Sequence, residues 1–297
     1  MSMENTKQKG HKTSSNLSQA CKIQLIIANH IFDVCKRHGL KIWADWGTLL
    51  GAVREHGFIP WDDDIDLMMM RDDYEKLIKL ADSEFKHPFF FQCAYTDKQY
   101  YRGHAQVRYD GTASILPDDI NQPFHQGLFV DIFVYDNIPN ELGRSWNRCT
   151  MRAKLTRKCL QTAYYKSFNL KSPVNTIKFL IARTVTSLFG SMNLYRFFER
   201  QFTQWNSQDC HRIACPTFNF IKMERRIKEK SWYEETVMLP FEDIEIPVPA
   251  LYNDVLTIEY GADYMIPLKE PTAHGEMIIY TDKPYQEVLA ELRNKGL

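Results

Sequence analysis

The run Trp61-Asp62-Asp63-Asp64-Ile65-Asp66-Leu67-Met68 constrains this chain more than any other stretch. Acidic and apolar residues alternate from Asp64 to Leu67, and successive side chains of a strand point to opposite faces. A strand here buries Ile65 and Leu67 and turns Asp64 and Asp66 out together on the other face. Carboxylates about 7 Å apart along a strand repel each other unless a cation lies between them. Hard oxygen donors of this kind suit Mg²⁺ or Mn²⁺. A solvated acidic loop is the plainer reading, but the apolar residues threaded through the run speak for a half-buried strand.

Two other segments gain meaning from that run. Upstream, Ile42 to Trp46 reads as a short buried strand and leads into Gly47-Thr48-Leu49-Leu50-Gly51-Ala52-Val53-Arg54. A small pair opening a helix directly after a strand presents free backbone N–H groups and a hydroxyl, as phosphate sites do. Arg54 adds a fork-shaped cation one or two turns later; a surface arginine is the bland alternative. Downstream, Gly127-Leu128-Phe129-Val130-Asp131-Ile132-Phe133-Val134 reads as a buried strand holding one carboxylate. Such a group costs several kcal/mol unless it is paired or bound to a metal. An Asp131 that caps a neighbouring element is the structural alternative, and Asp136, nearer the strand end, reads as a turn residue.

The pattern along the chain up to about Asn140 predicts a compact α/β or α+β domain. Leu17, Ala20, Ile23, Ile27, Ile31 and Val34 recur at helical spacing, with Gly39 as the stop. A helix from Asp72 and strands over Phe89 to Ala94, His104 to Tyr109 and Leu128 to Val134 follow. Between Glu141 and Trp205 no strand pattern occurs, and aromatics mix with lysines and arginines, so this part reads as helical. From Phe218 short strands and turns return, with helices around Ala250 to Tyr260 and from Pro284. The expected organisation is a disordered tail over 1–16, a catalytic core over 17–140, a mainly helical insertion over 141–215, and strands and helices over 216–297 that complete the core.

Taken together, the glycine-small pair, the Asp-hydrophobic-Asp run and the later carboxylate resemble the nucleotidyltransferase superfamily, which implies an α+β fold with a mixed sheet flanked by helices. Trp46-Gly47-Thr48-Leu49-Leu50-Gly51-Ala52-Val53-Arg54 followed by Ile59-Pro60-Trp61-Asp62-Asp63-Asp64-Ile65-Asp66 resembles, more narrowly, the LicD family, which includes bacterial phosphorylcholine transferases and is related to the fukutin group. Ile246-Pro247-Val248-Pro249, Tyr260-Gly261-Ala262-Asp263-Tyr264-Met265 and Pro267 are similar to that family's closing stretch. The resemblance spans roughly residues 20–135 and 235–275. It implies transfer of a phospho-alcohol, phosphocholine being the best known, from a CDP-activated donor to a hydroxyl of a surface glycan or its lipid-linked precursor. By the same resemblance Asp64, Asp66 and Asp131 bind Mg²⁺ or Mn²⁺, and Gly47, Thr48 and Arg54 face the donor phosphates. A proton acceptor is expected in Asp131, or in Asp63. His274, in a loop after Pro271, is a further candidate donor to the phosphates. Transfer of a nucleoside monophosphate to a small molecule is the alternative chemistry for the same triad, and the Ile59-Pro60-Trp61 block speaks against it. A non-catalytic binding homologue is the third reading, opposed by the intact triad.

Composition closes off other classes. Lys plus Arg and Asp plus Glu both number 37, so there is no global basic field to gather nucleic acid. Seven cysteines without a CxxC pattern read as reduced thiols of a cytoplasmic protein. Cys210, His211 and Cys215 lack a visible fourth ligand for zinc. The longest charge-free stretch, between Arg183 and Arg196, has twelve residues, against the ~20 of a spanning helix. The aromatic and basic mixture from Lys171 to Arg200 reads either as a cap packed on the catalytic core or as a peripheral contact with the inner face of the cell membrane. Trp43, Trp46, Trp61 and Tyr109 are candidates to face a quaternary ammonium group, whereas Tyr260 and Tyr264 read as packing around a turn.

Overall fold

Every residue of β6 (Leu128–Ile138) is buried, and the other elements are arranged about this strand. The computed structural model describes residues 14–62, 64–164, 173–215, 226–268 and 277–295. Most of the expected tail, together with Asp63 and His274, lies outside them. β1 (Trp43–Ala44), β2 (Asp66–Met70), β3 (Phe89–Gln92) and β4 (Ala105–Tyr109) join β6 in the order β1-β2-β6-β4-β3. β2 is parallel to β6 and the other pairs of that path are antiparallel. The end of β6 also pairs with β7 (Arg212–Ala214), which carries β8 (Lys228–Glu229). A ribbon of β9 (Thr236–Phe241) and β10 (Ile244–Pro249), and a smaller one of β5 (Ala113–Ile115) and β11 (Ile278–Tyr280), stand beside the sheet. The fold is α+β with a mixed sheet, as the resemblance implies.

Helix α1 (Ser14–His38) buries Ile23, Ile27, Ile31 and Val34 against β6 and β4. It stops at Gly39, whose φ of +64° is a left-handed conformation that glycine adopts without steric cost. Its last turn clasps the end of α3 (Arg71–Glu84). Arg37 donates to one oxygen of Glu84 at 2.7 Å, and His38 Nε2 lies 2.8 Å from the other. These two hydrogen bonds hold the Glu84 carboxyl down to about 2. A carboxyl depressed in the folded state stabilises the fold above its unfolded value, near 4.5, and that contribution fades as pH falls toward about 2. Glu84→Gln is therefore expected to flatten the acid limb of stability in that window and to leave stability near pH 2 unchanged. Urea midpoints measured across the window test this, and a parallel offset at every pH would contradict it.

Three helices, α4 (Arg144–Tyr164), α5 (Pro173–Phe189) and α6 (Ser191–Thr203), follow β6. Trp146, Ala153 and Leu160 of α4 pack with Tyr195, Phe198 and Phe202 of α6 in a second apolar cluster that reaches Ile138 and Ala214. One buried arginine ties this unit to the sheet. Arg71 donates two hydrogen bonds to Asp136, at 2.9 and 2.7 Å, and a third to Glu199 of α6 at 3.0 Å. Asp136 is thus no turn residue. Pairing with β7 carries β6 on to Ile138, so Asp136 stays inside the sheet with a wholly buried side chain. None of the seven cysteines forms a disulfide. Among the described residues no helix is long and apolar enough to cross a membrane.

Candidate functional site

The parallel pairing of β2 with β6 sets Asp66 opposite Asp131, and the Asp131 N–H donates to the Ile65 carbonyl at 2.9 Å. Paired strands lie about 4.8 Å apart, so side chains leaving one face at one register become neighbours. Asp64, just before β2, completes the group: one oxygen of each of the three carboxylates lies within 4.8 Å of the others. Asp64 and Asp131 are buried and Asp66 is half-buried. Among the described residues this is the one such gathering of His, Cys, Asp and Glu ligand atoms; Cys210, His211 and Cys215 form none.

Helix α2 (Trp46–Arg54) begins against this group. Thr48 Oγ1 accepts the Asp66 N–H at 2.8 Å, and the Asp66 carbonyl accepts the Asp45 N–H at 2.9 Å. The Thr48 hydroxyl is thereby fixed and still has its own proton to donate. A Cβ at Gly47 would stand 2.3 Å from Asp62 Oδ2, so a larger residue there would have to displace that carboxylate. Arg54, at the far end, is not directed at the carboxylates. Its Nε donates to Glu55 at 2.7 Å and its Nη1 to the Tyr264 carbonyl at 3.0 Å. It latches α2 to the turn that follows α7 (Tyr252–Tyr260).

Charge is concentrated here. The Asp66 carboxyl is held well above the usual carboxylate range, first by burial and then by Asp64, Asp131, Asp62 and Asp45. Asp45 has its own counter-charge, since Lys228 Nζ lies 2.8 Å from Asp45 Oδ1 and 3.1 Å from Glu259 Oε1. The cluster around Asp66 leaves a surplus of negative charge in a partly desolvated place, which a cation relieves. Three hard oxygen donors that converge on one point fit Mg²⁺ or Mn²⁺.

Other side chains reach this face without having been anticipated. His104, at the head of β4, places Nε2 3.3 Å from Asp131 Oδ1; burial lowers its imidazole below the usual range while Asp131 opposes that shift. Nothing in the local sequence marks it, since β4 also carries Gln106 and Arg108. Tyr260 keeps 43% of its surface exposed, yet its phenol is pushed up by burial, then by Glu259, Asp66, Asp45 and Asp62. Tyr264 packs half-buried against the core. Of the aromatic candidates, Trp43 is ruled out, because it is buried against Tyr233 with its indole N–H on Thr236. Tyr109 packs edge-on against Phe89. Trp46 is half-buried, 4.3 Å from Phe133, with its N–H donated to Glu259 at 3.2 Å, and Trp61 is half-buried near the acidic run.

Residues 39–180 match the family described as LicD/FKTN/FKRP, nucleotidyltransferase domain. The chain is 28% identical over 244 residues to the lipopolysaccharide cholinephosphotransferase LicD of Haemophilus influenzae, which covers 81% of this chain and 88% of that protein. It is also 39% identical over 64 residues to an uncharacterized protein of Rickettsia prowazekii, 22% of each chain. The family match takes in β1 to β6 with all three carboxylates. It runs on through α4 into α5, beyond any motif legible in the sequence.

Proposed function

The chain belongs to the LicD family, and on that premise we propose that it transfers a phospho-alcohol, phosphocholine, from a CDP-activated donor to a hydroxyl of a surface glycan or its lipid-linked precursor. The observation that carries this reading is the convergence of Asp64, Asp66 and Asp131 within 4.8 Å beside the N-terminus of α2. In this reading those carboxylates hold Mg²⁺ or Mn²⁺, which would neutralise the donor pyrophosphate and stabilise both the attacking oxygen of the acceptor and the phosphate oxygen of the departing CMP. The Gly47 and Thr48 amides lie in the first turn of α2, where N–H groups have no partner within the helix, and they face the donor phosphates. Arg54 serves the phosphates through the helix, by fixing its far end to the Tyr264 carbonyl. Asp131, steadied by His104, accepts the proton of the acceptor hydroxyl. Trp46 and Trp61 offer aromatic surface to a quaternary ammonium head group. The protein then works in the cytoplasm on an acceptor presented at the inner face of the membrane.

Ligand-dependent melting tests this directly. A ligand at 100 times its dissociation constant stabilises a fold by about 2.7 kcal/mol, so CDP-choline with Mg²⁺ is expected to raise Tm clearly and CTP less. Labelled choline should then appear on lipopolysaccharide. A larger shift with CTP and transfer of the nucleotide moiety would favour nucleotidyl transfer, and no shift with either would refute both chemistries.

A further inference from the structure

The face of α5 that points away from the rest of the molecule is apolar. By helical period, Val174, Ile177, Leu180, Ile181 and Leu188 share one side, and each is more than half exposed. The opposite side supplies the only two buried residues of this helix, Ala182 and Thr186. Packing against α4 and α6 therefore accounts for a narrow strip of a 17-residue helix. Monomeric proteins seldom leave contiguous apolar side chains in water without a use for them.

The charge of this stretch of the chain points to what covers the face. From Leu142 to Phe198 the chain has eleven lysines and arginines and not one aspartate or glutamate. In a chain of zero net charge, the remainder therefore carries a net −11. Lys178 and Arg183 lie on the two flanks of the apolar face of α5, both exposed. Beside it a recess of about 540 Å³ is lined by Tyr164, Arg183, Thr184, Thr186, Ser187 and Leu188. A guanidinium, several hydroxyls and an apolar rim match a phosphate ester attached to an acyl chain.

We propose that the exposed face of α5, with its basic flanks, docks the protein onto an anionic phospholipid bilayer, the apolar side chains entering the headgroup boundary and the lysines and arginines meeting lipid phosphates. This goes beyond the proposed transfer reaction and does not depend on it. A bilayer containing phosphatidylglycerol matches both parts of this face, with negative headgroups for the basic flanks and an apolar interior for the side chains between them.

Flotation of the full chain with vesicles of phosphatidylcholine, with and without phosphatidylglycerol, tests it. Binding is expected only with phosphatidylglycerol, and it should weaken as salt shortens the screening length. Ile177→Asp combined with Leu188→Asp should weaken binding by roughly tenfold or more, since each substitution removes an inserted apolar side chain. Both positions are exposed, so Tm should not change. Lys178→Glu should weaken binding without removing any apolar surface. The proposal is overturned if folded wild-type protein fails to float at low salt, if neutral vesicles bind it equally, or if the double substitution leaves flotation unchanged. Concentration-dependent dimerisation that the same double substitution abolishes, without vesicle binding, would assign the face to a second copy instead.

Discussion

Asp66→Asn is expected to abolish turnover while leaving the protein folded and, in chelator, more heat-stable than the wild type. The two side chains are nearly isosteric, so packing around β2 is preserved. What changes is charge: Asp66 shares its surroundings with Asp64, Asp131, Asp62 and Asp45, and removing one negative charge relieves repulsion that the metal-free fold must bear. A gain of a few degrees in Tm is the expected scale. Bound metal contributes several kcal/mol of transition-state stabilisation, and at about 1.4 kcal/mol per decade its loss lowers the rate by roughly a thousandfold or more. Wild-type Tm should rise on adding Mg²⁺ and that of the variant should not. Asp131→Asn should also stop transfer but retain donor binding better, because Asp131 sits toward His104 and is assigned to the acceptor. Near-normal activity in Asp66→Asn, or an unchanged response to Mg²⁺, would remove the metal from the reaction.

The carboxylate group was legible because local rules place its members. Alternation puts Asp64 and Asp66 on one face, and an acid within Leu128 to Val134 is conspicuous wherever that strand lies in the sheet. Their meeting was not dictated locally. It depends on β2 and β6, far apart in the chain, coming together in parallel with Asp66 at the level of Asp131. Asp136 was misread for the same reason: β6 continues because β7, some 75 residues downstream, pairs with its end. Trp43 looked like a possible ligand contact because composition cannot distinguish an aromatic that lines a site from one that fills the core behind it. β5 and β11 were missed because three-residue strands make too short a pattern to register. Arg54 was legible as an arginine near the right helix, but not as one whose hydrogen bonds run to Tyr264, 210 residues away.

Lys228 is the largest omission, and its replacement by methionine is expected to destabilise the fold by about 3–5 kcal/mol. Nothing in the local sequence marks it, since a lysine in a polar stretch ordinarily reads as exposed. The structure buries it completely, with all three ammonium protons within reach of acceptors: Asp45 Oδ1 at 2.8 Å, Tyr135 Oη at 2.9 Å and Glu259 Oε1 at 3.1 Å. Burial alone would lower its affinity for a proton, but Asp45, Tyr233 and Glu259 more than offset that, so the group stays charged. Tyr135 in turn donates to Asp45 Oδ2 at 2.6 Å. Methionine fills a similar volume without the charge, and leaves Asp45 and Glu259 buried with their principal counter-ion gone; Arg226 reaches only Glu259, from a more exposed position. At about 2–4 °C per kcal/mol for a chain of this size, Tm should fall by roughly 10 °C. Adding Asp45→Asn to Lys228→Met should restore part of the loss, because it removes the charge left unpaired; a purely steric effect of methionine would not be rescued. The same double variant reports on the site, since the Asp45 N–H donates to the Asp66 carbonyl and Asp45 precedes the first turn of α2. If stability returns while transfer stays impaired, the buried lysine positions the carboxylate group as well as holding the fold together.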